Sequence, residues 1–119
     1  MTYENQPIRN IEESNLTGSV EEYKRLGYRL VQISCTALEP DRFEVTYSFD
    51  KGLSFENLRV TIPTGTILPS VSGIFAGTFL YENEIKELFG VGFKDISIDY
   101  NGTLYKKRKS TPFAIEPKK

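Results

Sequence analysis

Two runs of strict alternation constrain this chain more than any other feature. Val31, Ile33, Cys35 and Ala37 share one parity, and Gln32, Ser34 and Thr36 share the other. Phe43, Val45, Tyr47 and Phe49 then repeat the pattern against Glu44, Thr46, Ser48 and Asp50. Period two sends successive side chains to opposite faces, so each run reads as a strand with one buried face. Residues 39–42 ("EPDR") read as the hairpin turn between them, and residues 50–52 ("DKG") as a second turn. The result is an antiparallel meander whose apolar face needs a cover.

Two helical segments can supply that cover. Ser19 and Glu22 have the spacing of a capping box, in which each side chain satisfies a free amide at a helix start. Val20, Tyr23 and Leu26 follow as one apolar face, and Gly27 is placed to end the helix in a left-handed conformation. The principal helix is expected to start at Gly77 or Thr78, to bury Tyr81, Ile85, Leu88 and Phe89, and to be capped by Gly90. Residues 70–75 ("SVSGIF") read as one short helical turn before it.

The third strand contains a change of phase. Leu53 and Phe55 set one register, and Leu58, Val60 and Ile62 set the other, which predicts a bulge near Glu56-Asn57. Beyond the principal helix, Ile96, Ile98 and Tyr100 alternate with Asp95, Ser97 and Asp99. Asn101-Gly102 is a strong two-residue hairpin signal leading into residues 103–106. The expected fold is α+β, a two-layer sandwich of about five mostly antiparallel strands with two helices on one face. Its expected division is a polar lead-in over 1–16, a single domain over 17–105, and a basic, flexible tail over 106–119. At 119 residues the chain suits one core.

Most chemistry lacks its residues. There is no histidine, the commonest general base and the usual zinc and haem ligand. One cysteine cannot hold an iron–sulfur cluster, which takes about four thiolates. Cys35 falls on the apolar side of a strand and reads as a core residue, and a lone cysteine suits a reducing cytosol. Segments such as "GVGF" and "GIFAG" lack the spacing of nucleotide-binding loops. "SIDYNGTLYKKR" imitates a calcium loop but puts Ser97 at the first ligand position and Arg108 where a bidentate glutamate belongs. Glu84 and Glu87 share a helical side, which suits acid/base work only inside a cleft, so a solvated face is the expectation. No catalytic, cofactor-binding or metal-binding residue is expected.

Net charge is −1, but it is unevenly spread: the last 19 residues carry about +5 and the preceding 100 about −6. The basic run Lys106, Lys107, Arg108 and Lys109 suits an acidic partner surface and is expected to order only on meeting one. A nucleic-acid-binding module is the alternative from another class; binding to generic DNA that weakens steeply with salt would mark it. The start "MTYENQPIRNIEESN" has no apolar signal region, and the run "GIFAGTFLY" is far short of the roughly 20 residues a membrane helix needs. A cytosolic location is expected.

One segment carries a resemblance. "SVSGIFAGTFLYENEIKELFGVGF" is similar to the signature of the 30-kilodalton subunit family of respiratory complex I, also called the C subunit of NADH–quinone oxidoreductase. Ser70, Ile74, Phe75, Glu82, Glu84, Ile85, Leu88, Phe89, Gly90, Val91 and Phe93 match it position by position. The similarity extends more weakly back through the strands at 42–62, so it covers most of 27–100. Asn83 stands where the family has arginine, Glu87 where it has aspartate, and the family's longer C-terminal extension is absent. In that respect the chain resembles the short subunit of Ech-type, energy-converting, membrane-bound nickel–iron hydrogenases. The resemblance implies a non-catalytic structural subunit without a redox centre. Such a subunit packs against the catalytic large and small subunits of a hydrogenase or complex I-like assembly. It meets the inner face of the membrane only through the complex. The equivalent subunit of an NADH–quinone or formate-linked oxidoreductase is a second possibility within the family. Glu82, Glu84 and Glu87 are then expected to meet basic groups of a partner, as the tail lysines and arginine meet acidic ones.

Overall fold

The alternation at residues 43–49 is realised in a strand flanked by neighbours on both sides. The computed structural model describes residues 7–39 and 41–96. Its elements are β1 (Ile8–Asn10), a 3-10 turn (Glu13–Asn15), α1 (Leu16–Arg25), β2 (Arg29–Leu38), β3 (Arg42–Lys51), β4 (Ser54–Pro63), β5 (Ile67–Pro69), α2 (Phe79–Phe89) and β6 (Gly92–Lys94). The main sheet has the order β1-β4-β3-β2, and β5 and β6 form a separate parallel pair. Expected features at 97–119 lie outside the described residues. They are the Asn101-Gly102 hairpin, the strand at 103–106 and the basic run.

Pairing of β3 with β2 and β4 is antiparallel, as the two turns required. Phe43, Val45, Tyr47 and Phe49 are all buried, and opposite them lie Leu58, Val60 and Ile62 in β4. Fully burying side chains of this size is worth about 1.5–3 kcal/mol each, so this strand supplies much of the core. Part of the polar lead-in is itself strand: β1 lies parallel to β4, with Ile8 opposite Asn57 and Asn10 opposite Arg59.

The bulge expected near Glu56-Asn57 is absent, since β4 pairs with β3 without interruption. Leu53, which suggested the slip, sits in the tight turn and is 94% exposed. Phe55 simply faces the other side of the sheet. Glu56 occupies a core-side position because two tyrosines satisfy it, with Tyr23 Oη donating at 2.6 Å and Tyr28 Oη at 3.3 Å. The shift in register occurs instead in β2, between Leu30 and Gln32.

α1 starts three residues before the expected capping box. Asn15 precedes it without a side-chain cap bond, and Ser19 lies inside the helix. The earlier start buries Leu16 completely beside Val20 and Tyr23. That burial, about 1.5–3 kcal/mol, outweighs the roughly 1 kcal/mol of an N-cap. Leu26 loses its place on the apolar face and is 44% exposed. The helix ends as expected: Gly27 has φ +92°, its N–H reaches the Lys24 carbonyl at 3.0 Å, and Tyr28 N–H reaches that of Tyr23 at 3.0 Å. Tyr23 then stacks on Phe49 at 4.3 Å, fixing α1 to the sheet.

Candidate functional site

The resemblance falls on residues 70–93, so the site is built from that segment. β5 ends at Pro69, and Ser70 N–H bonds the Lys94 carbonyl at 2.9 Å, continuing the parallel pairing with β6. The chain then turns once: Ile74 N–H and Phe75 N–H both reach the Val71 carbonyl at 3.0 Å. This is the short turn read from the sequence. Lys24 in α1 braces it, with Nζ donating to the Ile74 carbonyl at 2.7 Å and lying 5.3 Å from the centre of the Phe75 ring. Thr78 is the residue before α2, and Gly90 ends that helix with φ +82°.

Glu82 organises the turn. Its Oε1 accepts the Ser70 hydroxyl at 2.6 Å and its Oε2 accepts Val71 N–H at 2.8 Å. Ser70 Oγ in turn accepts Ser72 N–H at 3.0 Å and lies 2.8 Å from Ser72 Oγ. With its proton committed to Glu82, the Ser70 oxygen is the acceptor in both contacts. Burial pushes the Glu82 carboxyl above its usual range, and the bonds from Ser70 and Val71 act against that shift. The carboxylate also lies in the first turn of α2, where the helix dipole favours negative charge.

This corrects the solvated face expected of α2. Glu82 is 0% exposed, and Glu87 is buried as well; Glu84 is half-buried. Tyr81, Leu88 and Phe89, expected inside, are only partly buried, while Ile85 is buried as expected. Tyr81 instead spends its hydroxyl on the Val31 carbonyl at 3.0 Å, and Phe89 meets Phe43 edge-on at 6.1 Å. At Glu82 the reason is the turn at Ser70 and Val71, which lies against that carboxylate, while Tyr81 and Phe89 meet the sheet. Asn83, at the position of the family's arginine, is fully buried and donates from Nδ2 to the Phe79 carbonyl at 2.7 Å.

The structure therefore brings Glu82 together with Ser70 and Val71 and sets Glu84 toward the surface. The basic residues Lys106, Lys107, Arg108 and Lys109 fall outside the described residues. Residue spacing alone gave no sign of the Ser70–Glu82 contact. The available signal was that both residues belong to one family signature, twelve positions apart. The Glu56 clamp by Tyr23 and Tyr28 was missed too, since it joins α1 and the link after it to β4. Among the described residues no three histidine, cysteine, aspartate or glutamate side chains converge to hold a metal ion. No described helix is long and apolar enough to cross a membrane.

Residues 10–103 match the family described as respiratory-chain NADH dehydrogenase, 30 Kd subunit. The C subunit of NADH-quinone oxidoreductase from Parvibaculum lavamentivorans is 33% identical over an alignment of 81 positions that covers 61% of this chain and 40% of that protein. The chain thus spans well under half of that relative's length. The structure of the membrane-bound sulfane sulfur reductase, described as an archaeal respiratory membrane complex, contains a chain of the same fold. It superposes with a TM-score of 0.81 at 14% identity, covering 96% of this chain and 73% of that one.

Proposed function

Since the chain belongs to the 30-kilodalton subunit family of respiratory-chain NADH dehydrogenase, we propose that it is a non-catalytic assembly subunit. Its place is in a membrane-associated, energy-converting hydrogenase, against the catalytic large and small subunits on the cytosolic arm. The observation that carries this reading is the fate of Glu82. The family signature's first carboxylate is consumed in holding the 70–72 turn to α2, which is work for a scaffold. At 0% exposure, with each oxygen already accepting an internal donor, this carboxylate lies out of a substrate's reach. The fold shared with a chain of a respiratory membrane complex supports the same reading.

Contact with partners then runs through surface charge. Glu84, half-buried on α2, meets basic groups of a neighbour, while Glu82 and Glu87 lie inside, Glu82 holding the turn. The basic run Lys106, Lys107, Arg108 and Lys109 meets an acidic surface. Such pairs fix orientation more than they add affinity.

Purification of the tagged chain from its native membranes, with identification of its companions, tests the proposal. The nickel–iron large subunit is the expected companion, and recovery of the chain alone would overturn the reading. A chain truncated after Tyr105 tests the tail: undiminished recovery of the large subunit would remove it as a docking element. A second reading is favoured by the 33% identity to the C subunit of an NADH-quinone oxidoreductase. In that case the companions would be subunits of a quinone or formate-linked oxidoreductase.

A further inference from the structure

β2 is the outer strand of the main sheet, and its hydrogen-bonding pattern shows which of its backbone groups face outward. The turn Gly52-Leu53 closes the β3–β4 hairpin on the pair Lys51 and Ser54, so odd-numbered residues of β3 bond to β4 and even-numbered ones to β2. The far side of β4 obeys this parity: Asn57 N–H bonds the Pro7 carbonyl, and the Arg59 carbonyl accepts Ile11 N–H. Through the register of β2 on β3, with Ser34 opposite Thr46 and Thr36 opposite Glu44, the even residues of β2 bond inward. Ile33, Cys35 and Ala37 therefore point N–H and C=O away from the sheet, and none of the described residues pairs with them.

A long free edge invites another strand, and proteins that must stay alone blunt such edges with lysine, proline, a bulge or a covering side chain. Among the described residues, α2 packs along β2, and what blunts the backbone edge itself lies at the start of the strand. The irregularity between Leu30 and Gln32 lies there, and the Tyr81 hydroxyl occupies the Val31 carbonyl. From Leu30 to Leu38 the strand has no charge and no proline. Among the described residues the core side is thinly covered at this corner: Ala37 faces it opposite Phe43 yet is exposed, and Cys35 is only half-buried.

We propose that the edge of β2 from Ile33 to Ala37 is a strand-addition site for an extended, uncharged segment of a neighbouring subunit. The chemistry of the edge defines that segment. It carries small or apolar side chains toward Cys35 and Ala37, and hydroxyl or amide side chains beside Ser34 and Thr36. A charged segment would meet no countercharge between Leu30 and Leu38. The proposal rests on the assembly reading above, which selects a neighbouring subunit over a second copy of this chain.

Amide hydrogen exchange on the natively purified complex and on the isolated chain tests it. Exchange at Cys35 and Ala37 should slow by about a hundredfold or more on assembly; equal exchange in both, with companions present, overturns the site but leaves the assembly reading standing. Loss of all companions from the unaltered chain overturns both. Ala37→Pro removes only an outward N–H and should cut recovery of companions at least about tenfold while the chain keeps its thermal midpoint. If Ala37→Pro fails to fold, Thr36→Lys replaces it, setting a charge beside the added strand; unchanged recovery with the folded variant overturns the site. Sedimentation of the isolated chain completes the test: a dimer that Ala37→Pro dissolves would assign the edge to a second copy and overturn the proposed occupant.

Discussion

The hydroxyl of Ser70 donates to Oε1 of Glu82 at 2.6 Å, tying the turn after β5 to the first turn of α2 across twelve residues of chain. The other carboxylate oxygen takes Val71 N–H, so one side chain satisfies two donors that the turn leaves over. The contact gives the family signature a physical purpose: its serine and its first glutamate are two halves of one clamp.

Glu82→Gln keeps the shape of that side chain but offers one acceptor where two donors converge. Leaving a buried donor unmet costs about 1–3 kcal/mol. Urea unfolding should show a loss in that range with an unchanged slope; a variant as stable as the parent would mean that the clamp contributes nothing.

The same residue sets a pH dependence. Burial raises the Glu82 pKa above its ordinary value of 4.5, so between the unfolded and folded pKa values the folded state binds more protons. Its contribution is therefore fully present below about 4.5 and declines as pH rises through that window. The stability of the parent relative to Glu82→Gln should fall on going from pH 4 toward neutrality. A difference that grows over that range would contradict this sign.

Tyr47 presents the opposite case. Its ring is fully buried in β3, and its hydroxyl has no hydrogen-bond partner among the described residues. Burial, then the neighbouring Glu82 charge, raises its pKa, so it stays protonated and unmet. Tyr47→Phe keeps the ring, removes the orphan, and should raise stability by about 1 kcal/mol in chemical denaturation. A loss of that size would reveal a buried water serving the hydroxyl.

Cys35 should be unreactive while the chain is folded. Burial, with a smaller contribution from Glu44, pushes its thiol from 9.0 up to about 12. Thiolate at pH 8 is then scarcer by roughly a thousandfold than in the unfolded chain, and labelling by a disulfide reagent should slow accordingly. Labelling as fast as that of free cysteine would show the strand to be open at that position.

Much of the fold was legible because its signals are local. The alternation at Phe43, Val45, Tyr47 and Phe49 is a property of successive residues, and it produced the buried strand it implied. Gly27 and Gly90 end the two helices because each needs a positive φ at one position. The start of α1 was harder to read, since a capping pattern at Ser19 competed with the burial of Leu16 and lost. In β4, Leu53 looked like a strand residue because a hydrophobic side chain in a tight turn breaks the usual association of turns with polarity.

By itself the sequence determined where the strands of the meander run, where both helices stop, and which family signature the chain carries. These depend on neighbours within a few positions and on backbone conformations that few residues can adopt. Only the tertiary structure decided that Glu82 lies inside, that Glu56 is held by two tyrosines, and that the edge of β2 faces outward from Ile33 to Ala37. A carboxylate's tendency to face water is reversed once distant donors replace the water. Where those donors stand depends on how sheet, turn and helix pack together.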